Sequence, residues 1–210
     1  MGGIRERRSF RRSFRALIAD ARGLAAMEMA LILPVAVMVM SLIVYGAQAY
    51  TVWRKVTLGA TTVANIFAQA NNTNTSTITA AELNQILAYP NLILYPYNAT
   101  GVAVEVSQLL VAANSNGTAT GTVCGSWANA NGTPRATGQQ LSVDPSIVSA
   151  FSGSSGASSP SCGTSNANYV VLGEVQYPFQ PTGIYFSVGT MTLHDSIIMI
   201  PRVASPITVQ

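Results

Sequence analysis

Charge is what this sequence has least of. Asp, Glu, Lys and Arg make up 9% of its 210 residues, against roughly a quarter in a typical soluble domain. A solvated cytosolic enzyme needs more than that to stay in solution, so the deficit points to lipid or to a self-associating assembly. There is a single histidine, His194, and only six acidic residues beyond residue 23, which leaves few ways to build acid–base chemistry. Two cysteines and one histidine cannot supply the four ligands of a structural zinc site, so neither a metal nor a cofactor is expected. Phosphate-cradling glycine loops and carboxylate pairs of catalytic spacing are missing too, and no nucleophile motif accompanies His194. His194 is expected to be a solvent-facing strand residue, and no catalytic residue is assigned.

The charge that is present is unevenly placed. Residues 1–23 hold seven arginines against Glu6 and Asp20, a net of +5, while the remaining 187 residues carry −2. The basic pI of about 9.1 therefore belongs to the N-terminal segment. Nucleic-acid binding needs basic residues on a folded face, and the body has almost none.

Between Glu28 and Arg54 stand 25 consecutive uncharged residues, MALILPVAVMVMSLIVYGAQAYTVW. As a helix the run is about 37 Å long, enough to cross a hydrocarbon core of about 30 Å. Tyr45, Tyr50 and Trp53 cluster at its far end, where aromatic rings favour the headgroup layer, and Arg54 and Lys55 stop it. The arginine-rich flank should stay in the cytoplasm, which puts the C-terminal body across the membrane. Pro34 removes one backbone hydrogen bond inside the run, which membrane helices tolerate with a bend. Glu28, at the entrance, would cost about 2–3.5 kcal/mol if drawn to the bilayer centre, so it belongs at the interface or beside a cationic partner.

The run Gly23-Leu24-Ala25-Ala26-Met27-Glu28, followed by Met29-Ala30-Leu31-Ile32-Leu33-Pro34, resembles the N-terminus of the TadE-like family, minor pseudopilins of the tight-adherence (Flp) pilus machinery. In that family a prepilin peptidase cuts after a glycine and a glutamate stands at mature position five. The resemblance implies cleavage between Gly23 and Leu24, with Glu28 at that position; the family's usual aromatic after the glutamate is Met29 here. The segment from Gly173 to Pro181, with Pro201 and Arg202, looks like the corresponding end of TadE- and TadG-like proteins. The spacing has its own logic. Cleavage would create a charged α-amino group on Leu24, and Glu28 lies at i+4, on the same helix face. Within a chain or between neighbours, the two would offset each other's desolvation and set subunit register.

The resemblance implies a non-enzymatic pilus-assembly protein of the bacterial inner membrane. It would span once, with its N-terminus cytoplasmic and its body periplasmic, and be incorporated in a surface pilus if it follows its relatives. Its partners would be the membrane, the prepilin peptidase and other pilin-like subunits. Two competitors stand beside that reading. One is a secreted adhesin or binding module released at Ala47-Gln48-Ala49, a small-residue pattern that signal peptidase accepts. The other is a membrane-tethered enzyme.

In the body, Val52, Val56, Ala60, Val63 and Phe67 recur at helical spacing, which extends the membrane helix into a stalk whose apolar stripe packs on the body. Thr79 to Glu82 reads as a capping box opening a short helix that Pro90 closes. Val102, Val104 and Val106 alternate as a half-buried strand, and residues 120–127 form another. Tyr169–Tyr177 and Ile184–Ile200 carry the last strand signals, with Pro178, Pro181 and Gly183 as the turn between them. In an exported chain the even pair Cys124 and Cys162 reads as one disulfide. The expected fold is α+β, a long transmembrane helix continuing into a stalk and packed on a small antiparallel sheet of about four strands. Its parts are a basic leader (1–23), helix and stalk (24–70) and an extracytoplasmic body (71–210).

Overall fold

The computed structural model describes residues 21–69, 77–114, 117–149, 161–163, 167–181, 189–201 and 206–210. Residues 1–20 of the basic leader, most of Phe151–Asn168, the turn around Gly183 and Arg202 lie outside the described residues. The fold is mixed helix and sheet, with a long apolar N-terminal helix and a curled antiparallel five-stranded sheet. The chain divides into two compact units between Gln48 and Ala49.

Helix α1 runs Ala21–Ala68 and passes through Pro34 without ending. In the first unit, residues 26–40 are all exposed. Ser41 returns its hydroxyl to the Val37 carbonyl at 2.8 Å, which spares the helix surface a loose polar group. In the second unit α1 continues as the central helix of the body. The stripe Val52, Val56, Ala60, Val63 and Phe67 is fully buried there, so the helical spacing does mark the packed face.

Strand β1 (Thr77–Ile78) precedes α2 (Ala80–Leu94), β2 (Ala103–Ala113) and β3 (Ala119–Ala128). Then come β4 (Gln140–Val143), the short α3 (Pro145–Ser149), β5 (Tyr169–Phe179), β6 (Met191–Met199) and β7 (Thr208–Val209). The sheet order is β4-β3-β2-β5-β6, and β1 pairs with β7 in parallel as a separate two-stranded clasp. That is five strands where about four were expected. The extra one, β4, has only four residues, too few to show an alternation. The clasp joins residues some 130 apart in sequence, so no local pattern announces it.

One sheet face carries Val104, Val106, Val171, Val175, Tyr177 and Phe179 against α1 and the buried residues of α2. The other carries Leu109, Val111, Val123, Val170 and Leu172, covered by Ile147 and Val148 of α3. Between Gln108 and Leu109 the β2–β3 register shifts, leaving Cys124 as the extra residue of a β-bulge. A one-residue insertion swaps the faces of a strand. Thus Val123 faces the smaller core while Trp127 faces the larger, where its ring lies 5.4 Å from Phe67.

The capping box forms as the sequence indicates. Glu82 N donates to the Thr79 hydroxyl at 3.2 Å, and the Glu82 carboxylate accepts from Thr79 N at 2.9 Å. The bond from the Thr79 amide first, and then one donated by the Thr79 hydroxyl to the same carboxylate at 2.9 Å, hold the Glu82 carboxyl below its usual pKa. A carboxyl depressed in the folded state contributes stability above its unfolded value and loses it as pH falls through the folded value. An acid titration should therefore show Glu82→Gln changing the low-pH limb of stability while leaving the neutral-to-basic limb parallel to the parent. A uniform offset at all pH values would count against the assignment.

Two prolines behave differently from the sequence reading. Pro90 does not close α2, which continues to Leu94. Pro90 is itself buried, against Gly59 of α1, and burial of Leu94 beyond it keeps the last turn helical. Pro178 sits inside β5 and pairs with Thr192, not in a turn. Pairing of β5 with β2 stops at Gln176, so at Pro178 one flank of the strand is open and the missing N–H breaks no ladder.

Close helix–sheet contact depends on one glycine. A Cβ at Gly173 would lie 2.8 Å from the Ala64 Cβ and 2.9 Å from the Ala60 carbonyl oxygen. The helix backbone cannot yield locally, so Gly173→Ala should cost about 1–3 kcal/mol, seen as a lowered denaturation midpoint. An unchanged midpoint would mean that α1 is free to shift.

Candidate functional site

The sequence marks two places, the start of α1 and the cysteine pair; the fold assembles a third. At the first, Gly23 and Leu24 lie within the opening turns of α1, and Glu28 follows one turn later. Glu28 is exposed and has no ion pair among the described residues.

At the second, Cys124 and Cys162 form a disulfide, as expected, with their Cα atoms 5.4 Å apart. The tethered segment is held again where the Gly163 amide donates to the Tyr169 hydroxyl at 3.0 Å.

The third place is a charge cluster on the outer face of the sheet. Glu105 of β2 and Glu174 of β5 are direct cross-strand partners, which would be destabilising for two like charges alone. Arg135, from the loop between β3 and β4, lies between them. Its Nη2 reaches Glu174 Oε2 at 2.6 Å, and its Nε lies 3.3 Å from Glu105 Oε1. Glu105 also accepts from the hydroxyls of Ser107 and Ser126 and from the Arg135 amide at 3.0–3.2 Å. Burial alone would lower the Arg135 pKa, but the hydrogen bond to Glu174 and the charges of both glutamates outweigh it and raise the value. His194 is half exposed, with Nε2 3.5 Å from Glu174 Oε1. It faces solvent as expected, yet it also joins this cluster.

Beside the glutamates lies a cavity of about 140 Å³ lined by Asn131, Thr133 and Gln176 as well as Glu105 and Glu174. That is well below the roughly 300–1,000 Å³ of ordinary small-molecule sites. Chemically the arrangement is an ion cluster in which one guanidinium bridges two carboxylates and ties β2, β5 and the Arg135 loop together. Sequence reasoning separates its members, because Arg135 sits in an Asn/Gly/Thr-rich loop with no periodicity to point at Glu174, 39 residues on.

Along α1 an open cleft of about 600 Å³ is lined by Tyr50, Trp53, Arg54, Lys55 and Leu58, among others. No group of three or more His, Cys, Asp or Glu side chains able to hold a metal occurs among the described residues. α1 is long and apolar enough to cross a membrane, a property it shares with signal sequences. No family model, no curated protein and no solved structure matches the chain.

Proposed function

We propose that this chain is a single-span envelope protein of the TadE-like kind, a non-enzymatic minor pseudopilin that acts by helix–helix association in the bacterial inner membrane. The observation that carries the reading is the division of labour along α1. Apart from Glu28, residues 26–40 are apolar and all exposed, whereas the stripe from Val52 to Ala68 of the same helix builds the core of an antiparallel-sheet body. An exposed apolar helix surface of that length needs lipid or other helices around it. The resemblance at Gly23–Glu28 supplies the mechanism: a peptidase removes the basic leader, and Glu28 pairs with the new amine of Leu24 on its own or a neighbouring subunit.

Glu28→Ala should leave membrane insertion intact while abolishing co-purification with other pilin-like subunits. Normal assembly by that variant would refute the pairing. N-terminal sequencing of the protein from envelopes should begin at Leu24.

A second reading draws on one specific observation. The body unit begins at Ala49, beside the Ala47-Gln48-Ala49 pattern, so signal-peptidase cleavage there would release a body that keeps its core stripe from Val52 to Phe67. A mature start at Tyr50 would establish that reading and remove the first.

A further inference from the structure

We propose that the C-terminal tip of α2, Leu92 to Tyr95, is a second membrane contact, resting in the headgroup layer of the bilayer that α1 crosses. The proposal rests on the membrane-spanning reading of α1.

Lys55 sets the depth. It stands two residues past the 25-residue uncharged run, and its ammonium lies outside the hydrocarbon, where charge is costly. That ammonium donates to the Ile93 carbonyl at 3.1 Å and to the Tyr95 carbonyl, and lies 5.4 Å from the centre of the Tyr97 ring. The end of α2 is therefore held at the level where α1 leaves the membrane.

A second contact sets the direction. A Cβ on Gly59 would lie 3.4 Å from Pro90 Cβ, so the two helices touch there. Gly59 is one turn beyond Lys55, about 6 Å further from the membrane. With Pro90 at Gly59 and Ile93 at Lys55, α2 runs antiparallel to this part of α1, and its C-terminal end lies toward the apolar run.

The tip is also built for a weakly polar medium. Leu92 and Tyr95 are 74% and 77% exposed, the most exposed large apolar side chains among the described residues outside α1. Residues 83–104 contain no charge. The last carbonyls of a helix ordinarily need water, but here each has a donor. Leu92 O accepts from Tyr95 N at 3.4 Å and Leu94 O from Tyr97 N at 2.9 Å, while Ile93 O and Tyr95 O accept from Lys55. Little hydration is lost when this tip enters the interface, and a leucine and a tyrosine gain by entering it.

The test uses the full-length protein in phosphatidylcholine–phosphatidylglycerol vesicles, with lipids brominated near the carbonyl region as quenchers. One tryptophan is kept or introduced at a time: native Trp53 in Trp127→Phe, and Leu92→Trp, Tyr95→Trp or Asn114→Trp in the variant lacking both native tryptophans. Asn114 lies at the far end of β2 from the tip. Quenching at positions 92 and 95 should approach that at Trp53 and exceed that at position 114 several-fold. Quenching at Trp53 with none at 92 and 95 overturns the tip contact and leaves the span standing. Blue-shifted but unquenched emission at 92 and 95 also overturns it, in favour of a protein neighbour. Absence of quenching at Trp53 as well would bring down the spanning reading and the proposal together.

Discussion

Replacing Arg135 with methionine is expected to lower the stability of the body by about 3 kcal/mol, at the low end for breaking a buried ion pair. Methionine keeps most of the stem volume and removes the guanidinium, so packing changes little. What remains is Glu105 opposite Glu174 across β2 and β5, with side chains only 14% and 8% exposed. Neither carboxylate can turn fully to water, and the Coulomb repulsion across adjacent strands is felt at low effective dielectric. The Arg135 side chain is itself 25% exposed, which is why the figure sits at the bottom of the range. Adding Glu105→Gln to Arg135→Met should restore a substantial part of the loss, because an amide opposite Glu174 ends the repulsion and still accepts from Ser107 and Ser126. High salt should restore much less, since ions do not reach between the two strands. Denaturant midpoints of the parent, single and double variants provide the check. A loss in Arg135→Met below about 0.5 kcal/mol, the usual worth of a surface pair, would show that water already screens the cluster.

This cluster also shows where reading from sequence stops. The start of α1, the stripe from Val52 to Phe67, the Thr79 capping box and the alternation of Val102, Val104 and Val106 are local patterns. Each depends on residues within one or two turns, or within one strand, and each is visible in the chain order alone. The pairing of Glu105 with Glu174 requires the β2–β5 register, and Arg135 joins them only because its loop folds across the sheet. The β-bulge at Cys124 shifts the side-chain parity of β3, so residues 123 and 127, an even number apart, lie on opposite faces. Pro90 and Pro178 misdirect for a related reason. Proline's effect depends on whether a hydrogen bond was due at that position, which is settled by burial around Leu94 and by the open flank of β5. At the site near Glu28, by contrast, nothing nonlocal is involved, and the spacing to Leu24 can be read directly.

Loss of the Cys124–Cys162 bond should be the costlier change, at about 4 kcal/mol. The bond closes a loop of 38 residues, and the chain-entropy relation gives that figure for releasing such a loop in the unfolded state. For a chain of this size it corresponds to a fall in Tm of about 8–16 °C. Neither cysteine belongs to the two buried clusters, Val52 to Ile207 and Leu109 to Leu172, so the native sheet should survive in Cys124→Ala/Cys162→Ala, only less stably. The region most affected is that around Cys162, where the Gly163 amide also donates to the Tyr169 hydroxyl. Proteolysis should therefore cut around Cys162 first in the double variant, before the sheet is lost. Thermal melts of parent protein with and without reductant, beside the double variant, separate the bond itself from the thiols. Equal Tm values for all three would mean that the loop contributes nothing to the stability of the body. A bond of this weight can form only where thiols are oxidised, so its presence in the mature protein would support the proposed placement of the body on the far side of the membrane from the arginine-rich leader.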